Sequence, residues 1–298
     1  MKKETVLISL IVMVAIMLTA CGGIASTPKD LLAKIKSQGY VLVANDPTGA
    51  PVAALNSQGK RPPNTKCPSG TLTTAEMEGF DVDVAAEIGK RLGVETCFTN
   101  PEWVLIPAGY WADKWDVSVC SMTITNTRAQ VLTFTVPYYY DFAVVAVIKD
   151  SGINTLDDLS GKALCASSPT VYEDWIKGTV DLPAADIIAQ PPANLKDVPM
   201  SGDQACAQAI SSGRTDFVGY VSANHWVDAN IAAGTPVVKL GSPVFRDEMA
   251  AAVDKHASLP TDSFIAKLNK IITAMHKDGT LTNLSMKWFQ ADLTQATK

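Results

Sequence analysis

The stretch from Trp115 to Arg128 carries side chains suited to binding an anion. It reads WDVSVCSMTITNTR, a strand-like run that ends in small hydroxyl residues and a turn. Arg128 follows Thr123 by five residues. Exposed backbone N–H groups at a strand end, hydroxyl groups and the planar fork of a guanidinium are together the donors that a carboxylate accepts. The pattern therefore indicates a carboxylate-binding site.

The sequence lacks the common signatures of catalysis and of metal binding. It contains no G-x-S-x-G, H-E-x-x-H, P-loop or G-x-G-x-x-G motif. The three histidines are isolated, and no C-x-x-C pair occurs. We therefore expect a binding protein rather than an enzyme, with no metal and no cofactor.

Strand-like and helix-like segments alternate along the chain and would position this site. Strands are predicted at 39–45, 94–99, 115–119, 142–148, 163–166 and 217–221, and helical segments at 81–91, 155–159, 204–212 and 264–275. Asp81 is the expected N-cap of the first of these helices. This alternation indicates an α/β fold.

Length and composition limit the possible classes of protein. The 298 residues predict about two domains of roughly 150 residues each. With 47% hydrophobic and 18% charged residues, the chain has ample material for two cores. The net charge is −5, and no Lys/Arg-rich run occurs. An acidic chain of this kind is a poor candidate for binding nucleic acid.

Residues 1–20 are predicted to be a secretory signal peptide. Two lysines precede an apolar run that is too short to span a bilayer, and small residues lead up to Cys21. This ending resembles the lipobox of bacterial lipoproteins, in which Cys21 would be lipidated. The alternative is an ordinary signal with an incidental cysteine. Residues 21–30 would then form a tether, and the protein would be exported and held at the membrane by its lipid.

Four motifs in order resemble the bacterial extracellular solute-binding proteins of family 3, the amino-acid-type substrate-binding proteins of ABC transporters. They are the strand and clamp of 115–139, GFDVD followed by RLG at 79–93, LDDLSGK at 156–162, and DGT followed by KWF at 278–289. The resemblance implies a two-lobed α/β fold of the type II periplasmic-binding-protein kind. Lobe 1 would comprise 31–140 and 243–298, and lobe 2 would comprise 141–242, with the ligand in the cleft between them.

The resemblance also implies which residues bind the ligand. Ser121, Thr123 and Arg128 match the positions that clamp the ligand's carboxylate through backbone amides, a hydroxyl and a guanidinium. Thr170 and Val171 match the lobe 2 turn whose N–H groups face the same carboxylate.

Other positions of this family correspond less closely to this chain. Asp46 stands where relatives place an acidic group, although an ordinary turn aspartate is an equal alternative. Trp103 would form an aromatic wall, one residue out of register, or else be a core tryptophan. Gly49 stands where relatives carry an aromatic residue, and Val221 where they carry the aspartate that binds the ligand's ammonium. Either Tyr220 or Asp46 takes over that role, or the ligand is not an ordinary α-amino acid.

Five cysteines remain once Cys21 is set aside, so at least one is free or pairs outside the chain. Export would permit disulfides. The lobe assignment suggests two of them, one in each lobe. Cys67, in the irregular stretch 49–74, would bridge to Cys97, and Cys165 would bridge to Cys206. Cys120 would remain a small buried thiol.

The leading hypothesis is a monomeric lipoprotein that captures a small polar carboxylate and delivers it to an ABC permease. An alternative is an exported enzyme of the same fold, similar to cyclohexadienyl or prephenate dehydratases, which would need a proton-transfer residue in the cleft. A sensor domain is less favoured, because only nine residues follow Phe289.

Overall fold

The computed structural model describes residues 27–47, 49–202 and 204–295. The expected signal peptide and Cys21 lie outside these ranges. Inside them, no helix has both the length and the apolar character needed to cross a bilayer.

The described residues form eight α-helices and thirteen strands. The helices are α1 (Leu31–Gln38), α2 (Phe80–Leu92), α3 (Arg128–Val131), α4 (Val171–Ile176), α5 (Ala205–Ser211), α6 (Asn224–Ala232), α7 (Asp262–Lys277) and α8 (Thr280–Phe289). The strands are β1 (Tyr40–Ala44), β2 (Ala54–Leu55), β3 (Leu72–Thr73), β4 (Met77–Glu78), β5 (Glu95–Thr99), β6 (Val117–Thr123), β7 (Leu132–Phe134), β8 (Tyr139–Ile148), β9 (Ala163–Ser167), β10 (Lys196–Met200), β11 (Gly219–Ala223), β12 (Val237–Lys239) and β13 (Phe245–Asp254).

Two long strands, β8 and β13, connect the two lobes. The main sheet runs β10-β9-β11-β8-β13-β6-β1-β5-β3, with β12 added to β8 and β7 added to β13. β8 and β13 pair antiparallel, from Phe245 opposite Ala143 to Met249 opposite Tyr139. The central strands β1, β5 and β6 pair in parallel on one side, and β9, β10 and β11 on the other.

Each side of this connection has its own hydrophobic core. The core of lobe 1 gathers residues such as Ile35, Phe80 and Phe264, whereas that of lobe 2 gathers Trp175 and Phe245 among others. This is the two-lobed α/β architecture that the sequence predicts. The boundaries at 140/141 and 242/243 stay a prediction.

The start of α2 differs from the sequence-based expectation. Asp81 was expected to be the N-cap, but the helix begins at Phe80 and its N-cap is Gly79, with φ 134°. A Cβ on Gly79 would lie 2.2 Å from the carbonyl oxygen of Val52, so only glycine fits there. Asp81 is instead fully buried.

Both expected disulfides are present, one in each lobe. Cys67 and Cys97 have Cα atoms 5.4 Å apart, and those of Cys165 and Cys206 are 5.8 Å apart. The first bridge ties the irregular stretch before α2 to β5. Cys120 is a buried free thiol, with its sulfur 2.9 Å from the Ser118 hydroxyl.

Candidate functional site

A cavity of about 490 Å³ lies between the lobes. This volume suits a small-molecule ligand. Lobe 1 contributes Asp46, Trp103, Ser121, Thr123 and Arg128 among others, and lobe 2 contributes the 167–172 turn together with Ala223, His225 and Trp226. The structure thus brings together every expected ligand-binding residue except Tyr220.

Arg128 provides the positive charge of the cavity wall. As the first residue of α3, it turns back so that Nη1 donates to the carbonyl of Thr123 at 2.9 Å. Its guanidinium carbon lies 5.6 Å from the ring centroid of Trp103. Among the described residues no carboxylate forms an ion pair with it. Burial lowers the pKa of Arg128, but a guanidinium stays charged at neutral pH. A half-buried cation in this position favours an anionic ligand.

Ser121 is held from inside lobe 1. Its φ is 52°, its N–H donates to the hydroxyl of Tyr138 at 2.8 Å, and its Oγ donates to Asp81 at 2.7 Å. Tyr138 also donates to Asp81, at 2.7 Å. Burial raises the pKa of Asp81 to about 7, against the opposing effect of these hydrogen bonds. Both donors of Ser121 are occupied, so what it offers a ligand is the acceptor side of its hydroxyl.

Two tryptophans from opposite lobes form the walls of the cavity. Trp103 lies in a 3-10 turn, Trp103–Leu105, and its indole Nε1 donates across the cleft to the carbonyl of Pro169 at 2.7 Å. A Cβ on Gly49 would lie 3.9 Å from the ring of Trp226. Members of the family carry an aromatic residue at the position of Gly49 in lobe 1. In this protein the ring of Trp226, from lobe 2, lies next to that position. Asp46 lines the same cavity at the end of β1.

In lobe 2, Thr170 caps the short helix α4. Its hydroxyl accepts from the N–H of Glu173 at 3.4 Å and donates to the carbonyl of Ser167 at 2.5 Å. Thr170 and Val171 both line the cavity. The first N–H groups of a helix have no partner within it, so those of this turn that Thr170 does not accept are candidate donors to a ligand.

Tyr220 and Val221 lie away from the ligand cavity. Tyr220 is fully buried, and its hydroxyl accepts from Asn230 at 3.2 Å. Val221 packs in the lobe 2 core. The predicted strand ends at 221, but β11 continues to Ala223, so the residues that reach the cavity are Ala223, His225 and Trp226.

Sequence reasoning missed His225, which lines the cavity next to Trp226. Its Nδ1 lies 2.5 Å from Oδ2 of Asp141, a buried residue of β8. The ring of Phe289 packs against it, with centroids 4.9 Å apart. The signal available in the sequence was the NHW triplet directly after a run of strand residues.

A two-lobed α/β fold with two connecting strands and a ligand-sized cavity between the lobes is the architecture of the solute-binding proteins. Residues 63–291 match the family model of bacterial extracellular solute-binding proteins, family 3. The chain belongs to this family, which confirms the resemblance seen in the sequence motifs.

Curated relatives and solved structures agree with this assignment. The L-cystine-binding protein TcyJ of Escherichia coli (strain K12) is 27% identical over 270 residues, covering 90% of this chain and 89% of that protein. The histidine-binding periplasmic protein of the same strain is 29% identical over 262 residues, covering 85% and 88%. An ancestral arginine-binding protein bound to arginine is 26% identical with a TM-score of 0.66, covering 84% of this chain and 98% of that one. The P235GK mutant of ArgBP from T. maritima is 25% identical with a TM-score of 0.67, covering 88% and 100%. These likenesses confirm the two-lobed fold.

Proposed function

We propose that this protein captures a small amino-acid-type ligand by its carboxylate and delivers it to the permease of an ABC importer. The observation that supports this most directly is the guanidinium of Arg128. It lies half-buried in the cavity wall, where it donates to the Thr123 carbonyl and lies over the Trp103 ring, and the carboxylates of Asp247 and Asp174 act on it at longer range. A carboxylate that accepts two parallel N–H donors from one edge of the guanidinium would pair its charge.

The ligands of the relatives, as their names give them, support the same ligand class. Cystine, histidine and arginine differ in their side chains but share an α-carboxylate and an α-ammonium. Arg128 and the Thr170 turn, which both line the cavity, would bind this shared part. The tryptophan walls, Trp103 and Trp226, would then contact the variable side chain.

A lipid on Cys21 would hold the protein at the outer face of the cell membrane. This part of the proposal depends on the sequence alone, namely the small residues before Cys21. A Cys21→Ala variant expressed in its own host should leave the membrane fraction, whereas the wild type remains there. Retention of the variant in the membrane fraction would contradict the anchor.

A thermal-shift screen tests the ligand class. L-cystine, L-histidine and L-arginine, the remaining amino acids, simple amines, and keto and hydroxy acids would be added separately to the purified protein. A ligand at one hundred times its Kd stabilises the folded state by about 2.7 kcal/mol, which is readily detected. We expect shifts with α-amino acids. Shifts with amines alone would contradict the carboxylate assignment.

The enzymatic alternative has one specific observation in its favour. A histidine oriented by a carboxylate, as His225 is by Asp141, is an arrangement that a general base uses. Incubation with prephenate and arogenate, followed by the absorbance of aromatic products, distinguishes the two functions. We expect the acids to be recovered unchanged, because a binding protein releases its ligand as it was captured.

A further inference from the structure

A buried acid lies directly behind the wall of the ligand cavity. Asp81 of α2 is fully buried, and its Oδ2 accepts from the hydroxyl of Ser121 at 2.7 Å. Ser121 is half-buried and lines the cavity. A hydroxyl has one proton to donate, so the protonation state of Asp81 determines whether Ser121 can donate to a ligand.

Tyr138 fixes the position that a proton on Asp81 would take. Its hydroxyl accepts from the N–H of Ser121 at 2.8 Å and donates its single proton to Oδ1 of Asp81 at 2.7 Å. Oδ1 is therefore already an acceptor, and a proton on the acid belongs on Oδ2, which faces Ser121. With that proton Asp81 becomes the donor to Oγ of Ser121, and the hydroxyl of Ser121 is released to donate into the cavity.

The surroundings of Asp81 bring its titration close to neutral pH. Within the described part of the chain its hydrogen bonds come from two hydroxyls, and no cation forms an ion pair with it. Burial raises its pKa to about 7, against the effect of these hydrogen bonds and of His225 at longer range. Cys120 and Tyr139 also interact with Asp81, and burial raises the pKa of both, so they stay neutral at pH 7.

We propose that binding of a carboxylate ligand is coupled to the uptake of one proton from solvent by Asp81, which lets Ser121 turn its hydroxyl from Asp81 to the ligand. The inference rests on the proposed function, since it assumes a carboxylate in this cavity. A carboxylate ligand only accepts, and an ionised Asp81 already takes the one hydroxyl proton of Ser121. Asp81 is thus a positioning residue that acts through Ser121. Because the bound form holds the extra proton, affinity increases as the pH falls toward 7.

Titration calorimetry measures this uptake. L-arginine is the first probe, because its guanidinium does not titrate near neutral pH, and the amino acid with the largest thermal shift replaces it if L-arginine does not bind. Titrations in phosphate and in Tris, whose ionisation enthalpies differ, give the number of protons taken up per ligand. At pH 8 the wild type should take up about 0.5 to 1 proton, and it should bind about 5- to 10-fold more tightly at pH 6.

Asp81→Asn reproduces the protonated acid, because Oδ1 can accept from Tyr138 while Nδ2 donates to Ser121. This variant should take up almost no proton, bind equally well at pH 6 and pH 8, and at pH 8 bind up to about tenfold more tightly than the wild type. Any proton that the ligand itself exchanges is common to both proteins and cancels in the comparison. Ser121→Ala removes the hydroxyl, so its uptake should also fall, which covers the case in which Asp81→Asn does not fold.

Asp247→Asn is the matched control. Asp247 is also buried, and burial raises its pKa to about 6, but its hydroxyl partner is Tyr172, at 2.8 Å, and it does not contact Ser121. This variant should keep most of the proton uptake of the wild type.

The outcomes separate the two proposals. If the wild type binds an amino acid at pH 8 without proton uptake, the coupling is overturned while the proposed function stands. Full uptake in folded Asp81→Asn, or in Ser121→Ala, would also overturn it, since the proton would then go to another group such as Asp247 or His225. If no amino acid binds at all, the proposed function itself fails.

Discussion

Asp181 of lobe 2 accepts hydrogen bonds from both the backbone N–H and the hydroxyl of Thr127 in lobe 1, at 2.6 and 2.7 Å. The side-chain amide of Asn126 donates to the same carboxylate at 2.8 Å, and these donors hold the pKa of Asp181 below its usual range. Thr127 directly precedes Arg128. The contact therefore links the opposite lobe to the turn that carries the residue proposed to bind the carboxylate.

Asp181→Ala should weaken ligand binding by about 3- to 10-fold. The substitution removes three exposed hydrogen bonds between the lobes, each with a small net contribution in water, and leaves the cavity intact. Calorimetry measures the affinity, and small-angle scattering should still show compaction at saturating ligand, because hinge closure is the common response of such two-lobed proteins.

The matched control for this variant is Asp216→Ala. Asp216 is also exposed and hydrogen-bonded, but its partner is Arg214 on its own lobe. Equal affinities for the wild type and Asp181→Ala would show that the contact does not stabilise the closed form. A wild type that does not compact with ligand would argue against closure itself.

Arg128→Ala should lower the affinity for the ligand by roughly 30- to 4,000-fold, the range for truncating one partner of a buried charge pair. Arg128→Lys should also bind clearly less well, since an ammonium keeps the charge but loses the planar fork. Both variants should fold, because the side chain faces the cavity. Titration calorimetry decides the assignment, and an affinity within about threefold of the wild type for Arg128→Ala would show that the carboxylate binds elsewhere.

Asp81→Asn should reduce the dependence of stability on pH. Burial raises the pKa of Asp81 from 3.8 to about 7. Between about pH 4 and pH 7 the folded protein therefore keeps a proton that the unfolded chain has released, so the free energy of unfolding falls as the pH rises through this window. An asparagine cannot ionise. The free energy of unfolding of the variant should therefore decrease less between pH 4 and pH 7, by at most about 4 kcal/mol.

Urea unfolding at several pH values between 4 and 8 measures this effect. Burial also raises the pKa of Asp247, to about 6, so Asp247 likewise makes the free energy of unfolding decrease as the pH rises. A smaller pH dependence of stability should therefore remain in the Asp81→Asn variant. Asp278→Asn serves as the control. Arg91 and Thr280 lower the pKa of Asp278 to about 2, so its contribution to stability is lost only below this window. An unchanged pH profile for Asp81→Asn would contradict the buried-acid assignment.

Replacing Cys67 and Cys97 together by alanine should lower the free energy of unfolding by about 3–4 kcal/mol, and the pair Cys165 and Cys206 by a similar amount. The bridges span 30 and 41 residues. A bridge stabilises the fold by removing chain entropy from the unfolded state, and the amount removed increases with the length of the loop that it closes. Mass spectrometry of unreduced peptides checks the pairing first. A bridged Cys120, or a free thiol at Cys67, would contradict it.

Local patterns in the sequence were sufficient to place Arg128 in the cavity wall, because residues 121–128 are contiguous in the chain and follow a strand. Its role toward a ligand stays a prediction. Local patterns were insufficient for Asp81. An aspartate before an amphipathic run is a typical N-cap, but Tyr138, 57 residues away, and Ser121 recruit its carboxylate into the lobe 1 interior. Only the assembled sheet brings these residues together.

The end of β11 shows a second limit of local patterns. Residues 219–223 include glycine, serine and alanine, which have little strand preference of their own, and pairing with β8 extends the strand until Ala223 stands opposite Ala143. A strand predicted to stop at Val221 places the wrong residues at the cleft. His225 therefore lies at the cavity, whereas Val221, the position that the family resemblance assigns to the ammonium, and its neighbour Tyr220 lie in the interior of lobe 2.

The two disulfides restrain the inside of each lobe but not the connection between the lobes. Each bridge closes a loop within a single lobe, and in the described part of the chain no covalent link besides the peptide backbone joins the lobes. Each disulfide therefore restrains the chain within one lobe. Neither one restrains the movement of one lobe relative to the other. The closure that we predict for the lobes therefore does not depend on whether either disulfide has formed.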